Sequence, residues 1–379
     1  MDRKERELEL YAHIPFCVKK CGYCDFLSGP ADASAREAYL QALAEEIRRT
    51  GEEAEDCRVV SVFFGGGTPT VLSGEQLSFL LSEIKKAFRL TRDCEITLEA
   101  NPGTLDAEKL MLCREAGFNR ISIGCQSSED QELRRLGRVH SWEEFLKGFF
   151  QAREAGFHNI NVDLMSGIPG QTLASWETSL KKTAGLGPEH ISAYSLILEE
   201  GTPFYERKAE LDLPDEDTER RMYERTGELL AEYGYRQYEI SNYAREGYRC
   251  RHNLGYWTGR EYLGLGLGAS SLWGDSRFRN TDSMEEYLEN RGNPRKIRRE
   301  EEILSLSGRQ TEYMILGLRL TEGISLEKFR KAFGRDVREL WPGVLEKYEG
   351  YGLLEEAEGN LRFTREGISL SNVVLEEFL

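Results

Sequence analysis

Over its first 200 residues the chain repeats one unit: a short apolar, β-prone run ending in glycine, cysteine or a polar residue, then an amphipathic helical stretch. The runs fall at 8–14, 59–64, 95–98, 120–123, 161–164 and 190–198, and helical patterns at 36–49, 74–88, 106–116, 142–155 and 173–183 lie between them. Alternating strands and helices mean parallel βα units. Six such units suggest a barrel or partial barrel rather than a flat sheet, and the pattern alone does not separate the two. The polar residues with chemical potential follow the strands, where a barrel presents its βα loops.

Beyond about residue 202 the pattern changes. An acidic helical segment (215–232) leads into a stretch rich in Tyr, Asn and Arg (233–257), then a glycine-rich loop (264–268) and a polar linker (274–302). The last part reads as two or three helices followed by a hairpin, 353–357 with 361–364, around Glu358-Gly359-Asn360. Helices plus a hairpin resemble a winged helix. With 10 Lys/Arg against 13 Asp/Glu over 303–379, it is expected to pack or meet a protein rather than bind DNA.

Composition narrows the partners. The net charge is −16, with a pI near 5.1, so the surface as a whole repels phosphate backbones and anionic lipid. Neither nucleic acid nor membrane is an expected main partner. The basic strip Arg295-Lys296-Ile297-Arg298-Arg299 is read as solvated linker. No apolar run approaches the ~18 residues that span a bilayer, and the charged start is not that of a secretory signal. A cytoplasmic location is expected. Three of the eight cysteines crowd together; Cys57, Cys94, Cys113, Cys125 and Cys250 are scattered. In a reducing compartment the crowded set reads as a metal site.

That set is Phe16-Cys17-Val18-Lys19-Lys20-Cys21-Gly22-Tyr23-Cys24, directly after the first strand. Three thiolates so spaced can wrap one face of a cubane cluster, leaving one of its four irons open to a ligand. A structural zinc site would need a fourth ligand nearby. His13 should point away by strand alternation, and Cys57 is distant in sequence.

Tyr11-Ala12-His13-Ile14-Pro15-Phe16-Cys17, with the cysteines that follow, resembles the radical S-adenosylmethionine superfamily, and within it the oxygen-independent coproporphyrinogen oxidases and their relatives, the HemW-type heme chaperones. The resemblance covers nearly the whole chain. It implies an α/β fold, a partial (β/α)6 TIM-type barrel with a small C-terminal winged-helix-like domain. The boundaries are then 1–235 for the core, 236–302 for the aromatic and glycine-rich segment with its linker, and 303–379 for the C-terminal domain. It implies a [4Fe–4S] cluster on Cys17, Cys21 and Cys24, S-adenosylmethionine at the open iron and an electron donor.

Further motifs take their meaning from this resemblance. Gly65-Gly66-Gly67-Thr68 ends the second strand; alone it could be a strand-to-helix turn, and by resemblance Gly66, Gly67 and Thr68 meet the methionine end of the cofactor. Glu99, Gln126 and Asp163 are polar residues that apolar strands would not choose, and each needs a partner. Taken singly they could belong to structural networks. The resemblance places Gln126 and Asp163 at the ribose, Glu99 and Arg138 at the cofactor, and Tyr11 and Tyr23 beside the cluster, with Tyr23 against adenine. His252, in Arg251-His252-Asn253-Leu254-Gly255-Tyr256-Trp257, reads in isolation as a satisfied structural histidine. The resemblance instead marks it as a HemW-type heme contact. The oxidase has a further cysteine two positions after the third, where this chain has Phe26, and a long N-terminal arm that is missing before Tyr11. Both differences favour a chaperone that passes heme to an acceptor protein over an enzyme that decarboxylates coproporphyrinogen.

Overall fold

The computed structural model describes residues 6–379, and in it the six β-prone runs become consecutive strands. They are β1 (Arg6–Ile14), β2 (Cys57–Gly66), β3 (Leu90–Ala100), β4 (Arg120–Gln126), β5 (Ile160–Ser166) and β6 (His190–Ser195). Each pairs in parallel with the next. The returns are made by α1 (Ala33–Glu53), α2 (Gly74–Ala87), α3 (Ala107–Ala116), a short α4 (Asp130–Leu136) with α5 (Trp142–Glu154), and α6 (Leu173–Gly185). Helix starts carry the expected chemistry: Asp32, Ser73, Asp106, Ser141 and Thr172 accept from backbone amides of the first turn.

Strand alternation divides the residues into two environments. Leu8, Leu10, Ala12 and Ile14 of β1, Val62 and Phe64 of β2, Ile96 and Leu98 of β3, and Ile121 and Ile123 of β4 belong to one core with Leu43, Ile47, Leu80, Ile84, Phe149 and Trp176 of the helices. The alternate positions carry Glu9, Tyr11 and His13; Ser61 and Phe63; Glu95, Thr97 and Glu99; and Asn161 and Asp163. The inner face of the sheet is therefore mostly polar and bonded across strands, as in Asn161 to Ser122 (2.7 Å) and Tyr194 to Gln126 (2.9 Å).

After β6 come α7 (Pro203–Glu206), α8 (Glu216–Glu232), the antiparallel pair β7 (Arg236–Gln237) and β8 (Asn242–Ala244), and α9 (Arg251–Trp257). The segment expected as a loop and linker is structured. β9 (Tyr262–Leu265) pairs in parallel with β1, and β10 (Ser270–Trp273), β11 (Ser276–Asn280) and β12 (Arg298–Ile303) extend the sheet from it, with α10 (Met284–Glu289) and α11 (Pro294–Ile297) between the last two. The resulting sheet runs β12-β11-β10-β9-β1-β2-β3-β4-β5-β6-β8-β7. The buried Glu46 carboxylate of α1 staples this extension: it accepts from Asn280 Nδ2 (2.7 Å), Tyr287 OH (2.5 Å) and Gly266 N (2.9 Å). Nor is the basic strip free, since Arg298 pairs with Glu53 at 2.5 Å and Arg299 with Glu286.

Residues beyond β12 build a second core. Helices α12 (Leu306–Gly317), α13 (Leu326–Phe333), α14 (Val337–Leu340) and α15 (Val344–Gly350) pack with the three-stranded sheet of β13 (Ile324–Ser325), β14 (Leu354–Ala357) and β15 (Asn360–Phe363), ordered β13-β15-β14. The hairpin stands where the sequence places it, and α12 lies against α9 of the barrel unit. Among the described residues no helix is long and apolar enough to cross a membrane.

Candidate functional site

The three cysteines occupy the loop from β1 to α1 at the C-terminal ends of the strands. That loop is pinned along its length: Cys17 N donates to Gly29 O and Gly29 N to Pro15 O, both at 3.0 Å. Thr68 N donates to Phe16 O at 2.7 Å, and Phe204 N of α7 to Gly22 O at 2.9 Å. A Cβ at Gly67 would lie 2.5 Å from Phe16 O, so the glycine run earns its place by close approach to the cysteine loop. Cys17 is buried; Cys21 and Cys24 are half-buried, and all three are free thiols. Among the described residues no three His, Cys, Asp or Glu side chains converge tightly enough to hold a single metal ion. Ligands of a cubane cluster bind different irons and stand further apart than those of a single ion. His13 is engaged elsewhere, its Nε2 with Leu27 O (2.9 Å) and its Nδ1 with Tyr11 OH (3.1 Å).

Beside Cys21 opens a cavity of about 130 Å³ lined by Val18, Lys19, Thr68, Asn101, Thr104, Arg138 and Val139, among others. Arg138 reaches into it with Nη1 4.0 Å from Cys21 Sγ and Nη2 donating to Gly124 O at 2.8 Å. Arg138 Nε and Asn101 Oδ1 are buried without a partner. Unpaired buried polar atoms are costly, and here they border the cysteine loop as a ligand pocket would require. Asn101, Thr104 and Lys19 were not singled out from sequence; the Asn101-Pro102 turn after β3 was the available signal.

The remaining strand-end residues line the inner face below the cysteines. Gly66 N donates to Glu99 Oε2 at 3.2 Å. Burial, and then the nearby Asp163 carboxylate, push the Glu99 carboxyl up to about 8. Asp163 accepts from Ser122 Oγ (3.1 Å) and Asn161 Nδ2 (2.7 Å) yet keeps an open side. Gln126 takes φ of +69°, a conformation a non-glycine residue adopts at a cost, and Tyr194 OH holds its Oε1 at 2.9 Å. Tyr23 packs its ring edge-on to Phe204 at 6.2 Å. Tyr11 stands deeper, between His13 and Phe63. Cys17, Cys21, Cys24, Tyr23, Gly66, Gly67, Thr68 and Arg138 thus gather at the mouth, with Glu99, Gln126, Asp163 and Tyr11 beneath them.

His252 is elsewhere. It sits on α9, 2% exposed, facing Ser61 and Glu9 midway along β2 and β1 and separated from Tyr11 by the Phe63 ring. Nδ1 bonds Ser61 Oγ at 2.9 Å, Nε2 bonds Tyr256 OH at 3.1 Å, and the ring stacks on Phe63 at 5.0 Å. Burial, then the charges of Arg120 and Arg260, push its pKa down to about 3, so it is neutral. Both nitrogens are hydrogen-bonded and one ring face is stacked. The local reading of a satisfied histidine describes this position.

The chain matches the radical SAM superfamily over residues 11–183 and the HemN C-terminal domain over residues 304–370. It is 40% identical to the heme chaperone HemW of Bacillus subtilis, over 97% of this chain and 98% of that one. It is 36% identical to HemW of Haemophilus influenzae over 98% of each. Among solved structures it superposes on the radical SAM enzyme coproporphyrinogen III oxidase (HemN) from Escherichia coli with a TM-score of 0.86 at 25% identity, covering 99% of this chain and 90% of that one. The family matches cover the cysteine loop and most of the strand–helix unit as well as the C-terminal domain, and the chain belongs to the HemW heme chaperone family of the radical SAM superfamily.

Proposed function

We propose that this chain is a cytoplasmic heme chaperone that binds heme, a [4Fe–4S] cluster and S-adenosylmethionine and passes heme to an acceptor protein. The observation carrying this reading is the end-to-end 40% identity to a HemW chaperone, which spans barrel, α9 and C-terminal domain alike. Cys17, Cys21 and Cys24 hold the cluster, and the loop bonds to Gly29, Thr68 and Phe204 keep their spacing in place. When bound, the cluster supplies an electron to the cofactor's sulfonium carbon–sulfur bond. Gly66, Gly67 and Thr68 offer backbone groups to the cofactor's amino-acid end, and Glu99 offers its carboxyl to the ammonium. Gln126 and Asp163 take the ribose hydroxyls, Tyr23 lies against adenine, and Arg138 faces the cofactor from beside Cys21. An external electron donor serves the cluster.

The similarity to the HemN structure favours a second reading, an oxidase that decarboxylates coproporphyrinogen III. Phe26 opposes it, because the oxidase has its further cysteine there, and in this chain the ring is 61% exposed on the cluster loop. The test offers heme and coproporphyrinogen III separately to the reconstituted protein. Stoichiometric heme uptake followed by transfer to a heme-free acceptor, with no decarboxylation, is the expected result. Decarboxylation with reductant and S-adenosylmethionine would replace the chaperone reading with the enzyme.

A further inference from the structure

The floor of the barrel and the cofactor site are joined by one run of hydrogen bonds, buried except at its two ends. It starts at α9, where Arg251 N (3.1 Å), His252 N (3.2 Å) and Cys250 Sγ (3.4 Å) all bond the Glu95 carboxylate of β3. Cys250 N then donates to Tyr238 OH at 3.3 Å. Tyr238 OH bonds His190 Nε2 at 2.9 Å, and His190 Nδ1 bonds Asn161 Oδ1 at 2.6 Å. Asn161 Nδ2 completes the run by donating to Asp163 Oδ1 at 2.7 Å.

The direction of every bond follows from its ends. A carboxylate only accepts, so Asn161 must turn its amide nitrogen to Asp163 and its oxygen to His190. His190 Nδ1 must then carry the proton. Burial, then the charge of Arg120, hold His190 well below its ordinary pKa, so the ring is neutral and Nε2 accepts from Tyr238. From Cys250 N onward all donors therefore point towards Asp163, an alignment in which each bond polarises the next. His190, Tyr238 and Asn161 are essentially buried, so no bulk water substitutes for a lost link.

We infer that the Arg251–Trp257 segment is the lower anchor of this column, which orients Asp163, and that His252 is a positioning residue of the anchor rather than a ligand to heme iron. The His252 ring is wedged between Ser61, Phe63 and Tyr256, which seats the first turn of α9 so that its amides meet Glu95 and Cys250 N meets Tyr238. Gly255 brings the same helix onto β1 so closely that a Cβ there would lie 2.1 Å from the Glu9 carboxylate. The inference rests on the proposed role of Asp163 at the cofactor ribose.

The experiment uses the full chain with its cluster reconstituted. It compares wild type, Tyr238→Phe, His252→Ala and His252→Gln for S-adenosylmethionine affinity by calorimetry, and for heme stoichiometry and Soret position. Cluster content serves as the control for folding. Tyr238→Phe keeps the ring and removes one link, so it should weaken S-adenosylmethionine about two- to tenfold, the range of one net hydrogen bond, with heme uptake as in wild type. His252→Ala should behave alike, and His252→Gln, which can still bond Ser61 or Tyr256, should recover part of the affinity. Unchanged affinity in both Tyr238→Phe and His252→Ala overturns the column. A shifted or lost Soret band in His252→Ala, with wild-type S-adenosylmethionine affinity, overturns the positioning role and makes the residue an iron ligand. A wild type that took up no heme would count against the chaperone reading, while the affinities would still decide the column. A wild type that bound no S-adenosylmethionine would take this inference down with the assignment of Asp163.

Discussion

The two ends of the barrel are built from similar residue types and put them to opposite uses. At the mouth, thiols stand half-open on a loop, and Asn101 Oδ1 and Arg138 Nε lie buried with no partner. At the floor, His252 is fully enclosed with both nitrogens bonded, and Glu95 collects three donors from α9. Strain follows the same division: Gln126 holds its positive φ on the mouth side, whereas α9 is an ordinary helix seated by packing. A histidine between aromatics can be a ligand or a strut, and what separates them is whether its nitrogens are already taken. The floor is not perfectly satisfied, since Glu9 Oε2, Thr97 Oγ1 and Arg120 Nε have no direct partner, but these atoms lie beneath the site rather than around an opening.

The largest contrast between the ends should come from cysteines. Cys17→Ala, Cys21→Ala and Cys24→Ala should each abolish the visible absorbance of the anaerobically reconstituted cluster, whereas Cys57→Ala and Cys113→Ala should leave it intact. An undiminished four-iron spectrum in Cys21→Ala would break the assignment of the mouth. Next in size is Asp163→Ala. Losing a charge-assisted hydrogen bond costs roughly 1.5–3 kcal/mol, so S-adenosylmethionine affinity should fall about ten- to a hundredfold while cluster content holds. Wild-type calorimetry in this variant would return Asp163 to the structural network.

Gly255 and Gly103 set the packing of floor and mouth side by side. An added methyl at Gly255 meets the Glu9 carboxylate, and overpacking of this kind costs about 1–3 kcal/mol in denaturant unfolding. At Gly103, on the cavity by Cys21, a Cβ meets nothing within 4 Å, so Gly103→Ala should stay within about 0.5 kcal/mol of wild type. Equal losses in the two variants would erase the distinction between a packed floor and an open mouth.

The smallest effect is a pH dependence at Glu99. Its carboxyl titrates at about 8 in the fold against an ordinary value of 4.5, chiefly because burial disfavours the charge. A raised carboxyl binds its proton more tightly folded than unfolded, so the stability it contributes is complete below about 4.5 and is lost as pH rises through about 8. Glu99→Gln carries no such titration, so its melting temperature without cofactor should gain on that of wild type across this window. A gap that stayed constant, or narrowed, would mean that the Glu99 carboxyl titrates near its ordinary value.

Much of this was legible in the sequence, for identifiable reasons. Strands β1 to β6 stood out because their apolar alternates all face helices, and the cysteine loop because its spacing serves few other purposes. The glycines of 264–268 mark a loop in the sequence, yet the first two of these residues end strand β9. The strand's glycine is there for contact: a Cβ at Gly264 would lie 2.3 Å from Ser270 O. Strand β12, Arg298–Ile303, is charged and exposed, as an edge strand often is, so no hydrophobic pattern announces it. The hydrogen-bond column was invisible because it links residues distant in the chain, such as His190 with Tyr238 and Cys250 with Glu95, which only the fold brings together. The hydrogen-bonded setting of His252 is hidden in the sequence for the same reason, since its partner Ser61 stands 191 positions away.

The central claim is that the mouth holds a cluster with one iron free for S-adenosylmethionine, and the most direct measurement is electron paramagnetic resonance of the reduced, reconstituted protein with and without that cofactor. Three cysteines leave one iron without a protein ligand, so the account predicts that adding S-adenosylmethionine changes the shape of the reduced-cluster signal in wild type. The change should be retained in His252→Ala at saturating cofactor, and weakened in Asp163→Ala at limiting cofactor. A reduced-cluster signal that is identical with and without saturating S-adenosylmethionine would contradict it.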